Sequence, residues 1–194
     1  FRKNFGRMIR AYAQRDDLLY IIRNAPKKDK KWAGLREFCL EPLVEPLIKK
    51  VTTQKLAVNC RHDLSIKELV VVGKFYCPNP DVTDAHFPSK KGRAAKEKAV
   101  LVHCNQHVSD EELEAVYDHL QLRPGNPKEL LSVAIDHPEL QRKFPIVTTG
   151  QFWRCSNRSR DIPCLYWSGG RELNLVWCDG GLYECCRFLA VRKS

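Results

Sequence analysis

Between Pro163 and Cys178 the chain reads PCLYWSGGRELNLVWC, two runs of alternating side chains joined by Ser-Gly-Gly. Successive side chains on a strand point to opposite faces, so a period of two marks a β-strand. In the first run Leu165 and Trp167 share one face, against Cys164, Tyr166 and Ser168. In the second, Leu173, Leu175 and Trp177 oppose Glu172, Asn174, Val176 and Cys178. Glycine tolerates the positive φ that tight connections need, so SGG and the later CDGG read as turns. Short antiparallel strands are predicted here, and CRFLAVRK adds the last one.

Upstream the period is helical. SDEELEAVYDHL predicts a helix capped by Ser109, with Glu112 three residues on as in a capping box and Leu113, Val116 and Leu120 facing inward. LRPGNPKELLSVAIDHPEL predicts a second, with Asn126 as N-cap, Pro127 in the first turn, and Leu130, Leu131 and Ala134 buried. AVLVHC before them reads as a central strand. Residues 1–60 read as helical: RDDLLYIIRN is one helix, and in GLREFCLEPLVEPLIKKV the residues Leu35, Phe38, Cys39, Leu43, Leu47, Ile48 and Val51 recur at helical steps. Pro42 and Pro46 cannot both occupy a first turn, which predicts a kink or break. NAPKKDKKW reads as a charged loop, ELVVVGKFY as a short strand or helix end, and CPNPDVTDAHFPSKKGRAAKEK as a long polar loop. The expected organisation is a basic helical region over residues 1–65 and an α+β domain over residues 66–194.

Charge follows the same division. Residues 1–61 hold 15 Lys and Arg against 6 Asp and Glu, and residues 62–194 hold 18 against 17. A basic lobe attracts anionic partners, so Arg2, Lys3, Arg7 and Arg10, with PKKDKKW beside Trp32, make nucleic acid an alternative partner for residues 1–61. A solvated helix face gives the same composition. No apolar run is long enough to span a bilayer, so no membrane span is expected. The 9 cysteines are odd in number and irregularly spaced, which predicts free thiols and a reducing, cytoplasmic setting.

Catalytic and metal motifs are weak. Cys77 with His86, and His103 and Cys104 with His107, carry zinc-ligand residue types but lack the short C-x₂₋₄-C pairs of structural zinc sites. There is no nucleophile elbow, phosphate loop or dinucleotide-binding glycine pattern. No catalytic residue, metal or cofactor is expected, and a cysteine nucleophile would need a histidine and a carboxylate that sequence cannot bring together.

The order of strand, helix, R-P-containing helix and short strands ending in RFLAVRK resembles the C-type lectin fold, in the subtype shared with formylglycine-generating enzymes. The likeness covers roughly residues 69–194 and rests on LRPGNPKELLSVAIDHPEL, FPIVTTGQFWR and CRFLAVRK. More narrowly, the tail is similar to the variable proteins of diversity-generating retroelements, in which adenines near the 3′ end of the gene are rewritten. From an AAC or AAT codon that process reaches Cys, Ser, Tyr, Arg, Gly, Asp, Val and Leu, but not Lys, Gln, Glu, Met or Trp. Lys, Gln and Met are absent from Arg154 through Arg192, and the basic residues there are all arginine. A half-buried sheet with one polar face produces a similar alternation by physics alone.

The resemblance implies a ligand-binding display protein that contacts a macromolecular ligand, expected to be a protein, through a diversified surface. Its contact set would be Cys155, Ser156, Asn157, Ser159, Cys164, Tyr166, Ser168, Asn174, Val176, Cys178, Asp179, Gly181, Leu182, Tyr183, Cys185 and Cys186. Trp153, Pro163, Leu173, Leu175, Trp177 and Phe188 would form the frame beneath it. The calcium motifs of sugar-binding lectins are missing, because Trp177–Asp179 reads WCD and neither E-P-N nor Q-P-D occurs. Adjacent Cys185 and Cys186 also differ from the separated cysteine pair of formylglycine-generating enzymes.

Overall fold

The computed structural model describes residues 14–24, 30–89, 91–156 and 158–193, the side chains of residues 30–33 excepted. In chain order its helices are α1 (Arg15–Asn24), α2 (Lys30–Ile48), α3 (Ile66–Gly73), α4 (Asp110–His119) and α5 (Pro127–Asp136). The strands are β1 (Thr52–Cys60), β2 (Cys77–Pro78), β3 (Ala95–His103), β4 (Leu122–Pro124), β5 (Ile146–Val147), β6 (Trp153–Arg154), β7 (Arg160–Trp167), β8 (Arg171–Trp177) and β9 (Arg187–Arg192). All nine strands join one sheet in the order β1-β3-β9-β5-β7-β8-β2, with β4 added to β9 and β6 to β7. The sheet is mixed: β5 runs parallel to β9 and β2 to β8, while the other pairs are antiparallel.

Both faces of the central sheet are buried. Ala99 and Leu101 of β3 pack with Ile146, Leu165, Leu173 and Leu189 in one core, covered by Ile66 and Leu69 of α3 and Leu130, Leu131 and Ala134 of α5. The alternate residues Val100, Val102, Val147, Ile162, Cys164, Phe188 and Ala190 form a second core. Leu113, Val116 and Tyr117 of α4 cover it, together with Leu182 and Cys186 from the segment between β8 and β9. Strands covered on both sides carry apolar residues on both sides, which is why the polar face expected from a half-buried sheet is replaced here by small apolar and thiol side chains.

The two predicted helices form as their caps dictate. Ser109 accepts from Glu112 N, and Asn126 accepts from Glu129 N, each within a complete capping box. Both N3 glutamates are buried and each takes an arginine. Glu112 receives Arg15 Nε at 2.9 Å and Nη2 at 2.5 Å, and Glu129 receives Arg123 Nη2 at 2.7 Å and Nη1 at 3.1 Å. One side chain thus ends a helix and anchors another element to it.

Three expectations are corrected and one ambiguity is resolved. The helical region stops at Ile48, because residues 52–60 form β1 and pair with β3 over nine residues. The expected boundary after residue 65 therefore falls beyond a strand that belongs to the common sheet. Of the two readings of ELVVVGKFY the helix end holds: Glu68–Gly73 complete α3, closed by Lys74 at φ 50° and opened by a capping box of Ser65 and Glu68. Strand β3 starts at Ala95, within the segment read as a loop, and that loop is pinned by the buried side chains of Val82 and Phe87. Helix α2 continues through Pro42 and Pro46, so of the expected kink or break the break does not occur. The four-residue spacing sets the second proline against the carbonyl of the first, so the missing donors lie on one side of the helix, where Pro46 is exposed.

Helices α1 and α2 pack on each other through Leu18, Leu19, Ile22 and Cys39. Their basic residues meet the acidic face of α4: Arg15 pairs with Glu112, Arg23 with Glu111 at 3.2 Å, and Arg36 with Glu114 at 3.3 Å. Part of the basic excess of the N-terminal region is therefore used within the molecule.

Candidate ligand-binding surface

The expected contact set divides by burial. Cys164, Cys178, Leu182 and Cys186 are buried, so their assignment to an outward surface is corrected: all four pack in the second core. Tyr166, Asn174 and Val176 lie on the same face and are half-buried at its margin. Cys155, Ser159 and Gly181 are also half-buried, while Ser156, Ser168, Asp179, Tyr183 and Cys185 are exposed. Asn157 lies outside the described residues. The frame is corrected too. Leu173 and Phe188 are fully buried and Pro163 is buried, but Trp177 is 53% exposed and Trp167 38%. Trp177 ends β8, past the helices that cover Leu173, and about half of it is left exposed there.

Position along the strands separates the set further. Ser168 lies in the turn between β7 and β8, at the opposite end of that hairpin from Asp161 and Trp177. Eight residues of β7 at ~3.4 Å each place these ends roughly 24 Å apart. The segment from Cys178 to Cys186 links them across the second core, since Leu182 pairs with Val108 and Leu182 and Cys186 pack in that core with Cys164.

At the Trp177 end an arginine organises the surface. Arg160 donates from Nε to Asp179 at 2.5 Å, contacts Asp110 through Nη1 at 2.7 Å, and lies 5.4 Å from the ring of Phe152. Asp179 also accepts from the Arg160 backbone at 2.9 Å and from Trp177 Nε1 at 3.2 Å. Burial works against the Arg160 charge, but Asp179 and Asp110 outweigh it and hold the guanidinium protonated. The Arg160 side chain in turn keeps the Asp179 carboxyl below its ordinary range. Arg154 stands 5.2 Å from the other contact of this cluster, the Phe152 ring. Arg160 lines two hollows of about 290 and 270 Å³, which share Asp110 and Cys178.

The tip of the β6–β7 connection projects beyond this cluster. Cys155 N donates to Ser159 O at 3.2 Å, Arg158 N to Cys155 O at 2.9 Å, and Arg154 Nη1 to Arg158 O at 3.1 Å, leaving Ser156 and Arg158 exposed. On the adjoining face, Asn174 donates to the Tyr166 hydroxyl at 3.2 Å and accepts from Asn79 Nδ2 at 2.7 Å. Gly181 has φ 96°, and a side chain there would strike the His107 ring, which itself stands edge-on to Tyr183 at 6.2 Å. Gly181 is thus a fixed hinge of this surface, not a variable contact.

No protein-family model, curated protein or solved structure matches this chain. The arrangement must therefore be read on its own chemistry. Aromatic rings and guanidinium groups are exposed together, with hydroxyls between them, and such groups supply contact area and adaptable hydrogen bonds at low entropic cost.

The thiols have another part. Cys39, Cys60, Cys77, Cys104, Cys164, Cys178, Cys185 and Cys186 are free thiols. Burial pushes Cys178 up to about 11 and Cys60, Cys104 and Cys186 up to about 12, and raises Cys164 as well. Without a bound metal ion these thiols resist ionisation, and none is an activated nucleophile. The two weighed zinc sets do not assemble as sites. Cys77 is exposed and His86 stacks on Trp153 at 4.4 Å, while His103 Nε2 lies 2.8 Å from Glu184 O and Cys104 is buried. The group of described residues that could hold a metal is Cys60, His62 and Glu97, which the sequence reading missed. Of its members, only the Cys60-x-His62 spacing is local.

Of the N-terminal residues weighed for nucleic acid, Arg2, Lys3, Arg7, Arg10, Lys27 and Lys28 lie outside the described residues, as do the side chains of Lys30, Lys31 and Trp32. No helix of the described residues is long and apolar enough to cross a membrane.

Proposed function

We propose that the chain is a ligand-binding display protein of the retroelement-diversified kind, with a lectin-like scaffold carrying a variable recognition surface. The observation that supports it most is the separation within residues 152–186. Phe152, Trp177 and Tyr183 are 45%, 53% and 59% exposed, among Arg154, Ser156 and Arg158, while the intervening residues of β7 and β8 close two cores. Substitution on such a surface leaves the packing alone and shifts stability by only about ±0.5 kcal/mol. The ligand would be a macromolecule, gripped by a few aromatic and arginine side chains around the Arg160 cluster. In this reading the variable contact set is Ser156, Ser159, Tyr166, Ser168, Asn174, Val176, Tyr183 and Cys185, extended by Phe152, Arg154 and Arg158, with Trp177 an invariant contact beside them. The lectin-like order is carried by β3, α4, α5 and the strands that follow.

Sequencing independent copies of the gene tests this. Differences should concentrate at the codons of the exposed contact set and spare Leu165, Leu173 and Phe188. Differences spread evenly over core and surface codons would end the proposal.

A further inference from the structure

At the β1 edge of the sheet, Cys60, His62 and Glu97 place a sulfur, an imidazole nitrogen and a carboxylate oxygen all within 4.8 Å of one another. Cys60 ends β1, His62 follows in the turn, and Glu97 faces them from β3, where its register partner is Val58 and that of Cys60 is Ala95. Val58 and Cys60 share a face, so Glu97 is the diagonal neighbour of Cys60, across from the small Ala95. His62 is held by its backbone: its carbonyl accepts from Gly92 N at 3.1 Å and from Lys128 Nζ at 3.3 Å.

A tetrahedral zinc ion with bonds of about 2.0–2.3 Å separates its ligand atoms by roughly 3.3–3.8 Å. His62 Nε2 and Glu97 Oε1 are already 3.0 Å apart. The widest separation needs a side-chain movement of about 1 Å to reach that geometry. A second feature points the same way. Glu97 Oε2 is a buried carboxylate oxygen without a hydrogen-bond partner, and buried polar atoms ordinarily have one. The nearest cation, Arg123 Nη2, stays 3.9 Å away because Glu129 holds it at 2.7 Å. That guanidinium is therefore already neutralised by another carboxylate.

We infer that Cys60, His62 and Glu97 form a three-ligand site for a divalent transition-metal ion, zinc by the mixed sulfur, nitrogen and oxygen donor set. His62 and Glu97 are each about one-fifth exposed, so the fourth position opens to solvent. Bound there, the ion ties the end of β1 and its following turn to β3, and closes the edge of the sheet against the loop that carries Gly92. The site shares no ligand with the recognition surface, although Arg123, 3.9 Å from Glu97 Oε2, also lines the larger hollow beside Arg160.

Cobalt chloride is the direct probe, because thiolate coordination produces a near-ultraviolet charge-transfer band. The full chain, stripped with chelator and exchanged into buffer, should take up one cobalt ion with that band, and zinc chloride should abolish it. His62→Gln and Cys60→Ser should lose the band, whereas the double variant Cys77→Ser/Cys185→Ser, which removes exposed thiols, should keep it. His62→Gln touches a half-buried ring and should preserve the far-ultraviolet circular dichroism, so the result stands even if the buried Cys60→Ser fails to fold. Zinc should also raise the melting temperature of the parent chain and not that of His62→Gln. Absence of the band in the parent chain, or a band that survives His62→Gln, overturns the inference.

Discussion

Thiols show at the residue scale how environment, not residue type, decides behaviour. Cys164, Cys178 and Cys186 sit in the second core, whereas Cys77 and Cys185 are exposed on the same molecule. Under native conditions iodoacetamide should modify Cys77 and Cys185 quickly and leave Cys60, Cys104, Cys164, Cys178 and Cys186 unlabelled until the chain unfolds, as peptide mass spectrometry will read. Rapid native labelling of Cys164 would contradict the packing described. Asp179 gives a pH-dependent counterpart. Arg160 depresses its folded-state pKa, so the contact contributes stability above the unfolded pKa of about 3.9 and loses it as pH falls through the depressed one. Tryptophan fluorescence followed downward from neutral pH should report release of Trp177 below about pH 4. In Asp179→Asn that transition should be missing.

At the scale of elements, the docking of α1 and α2 on α4 depends on paired charges whose two ends differ in burial. Glu112 has a side-chain exposure of 1% and Arg15 of 40%. Removing the arginine strands a buried carboxylate, which the Ser109 cap only partly satisfies. Arg15→Ala should therefore cost about 2 kcal/mol, the solvent around the arginine keeping it below the cost of a fully buried pair. Chemical denaturation is the measurement, and Arg23→Ala, at the more exposed pair with Glu111, should cost under about 1 kcal/mol. Helices of this kind were legible beforehand. Ser109 with Glu112 and Asn126 with Glu129 are local signals within one turn, and both predicted caps form. Strand β1 was not legible, because TTQKLAVNC sits between charged helical segments and acquires its strand only by pairing with β3 some 40 residues later. Local spacing could not bring Cys60 and His62 to Glu97 for the same reason.

At the scale of the whole molecule, one sheet with two cores explains both the success and the failure of the sequence reading. Alternation placed Leu165 and Leu173 on one face and Cys164, Tyr166 and Asn174 on the other, and the register pairs them that way. What alternation does not carry is the cover above each face. Residues 178–186 return over the face of Cys164, so it becomes a core where the sequence implied an open surface, and Trp177 emerges half-exposed at the strand end. Recognition, in the function proposed above, belongs to what lies outside that cover. A substitution scan of residues 151–187, read by protease resistance of the folded chain, tests this most directly. Ser156, Tyr183 and Cys185 should accept nearly any residue, whereas Cys164, Leu165, Leu173, Gly181, Leu182 and Cys186 should accept few. Equal tolerance at Cys164 and Ser156 would contradict the two-core account.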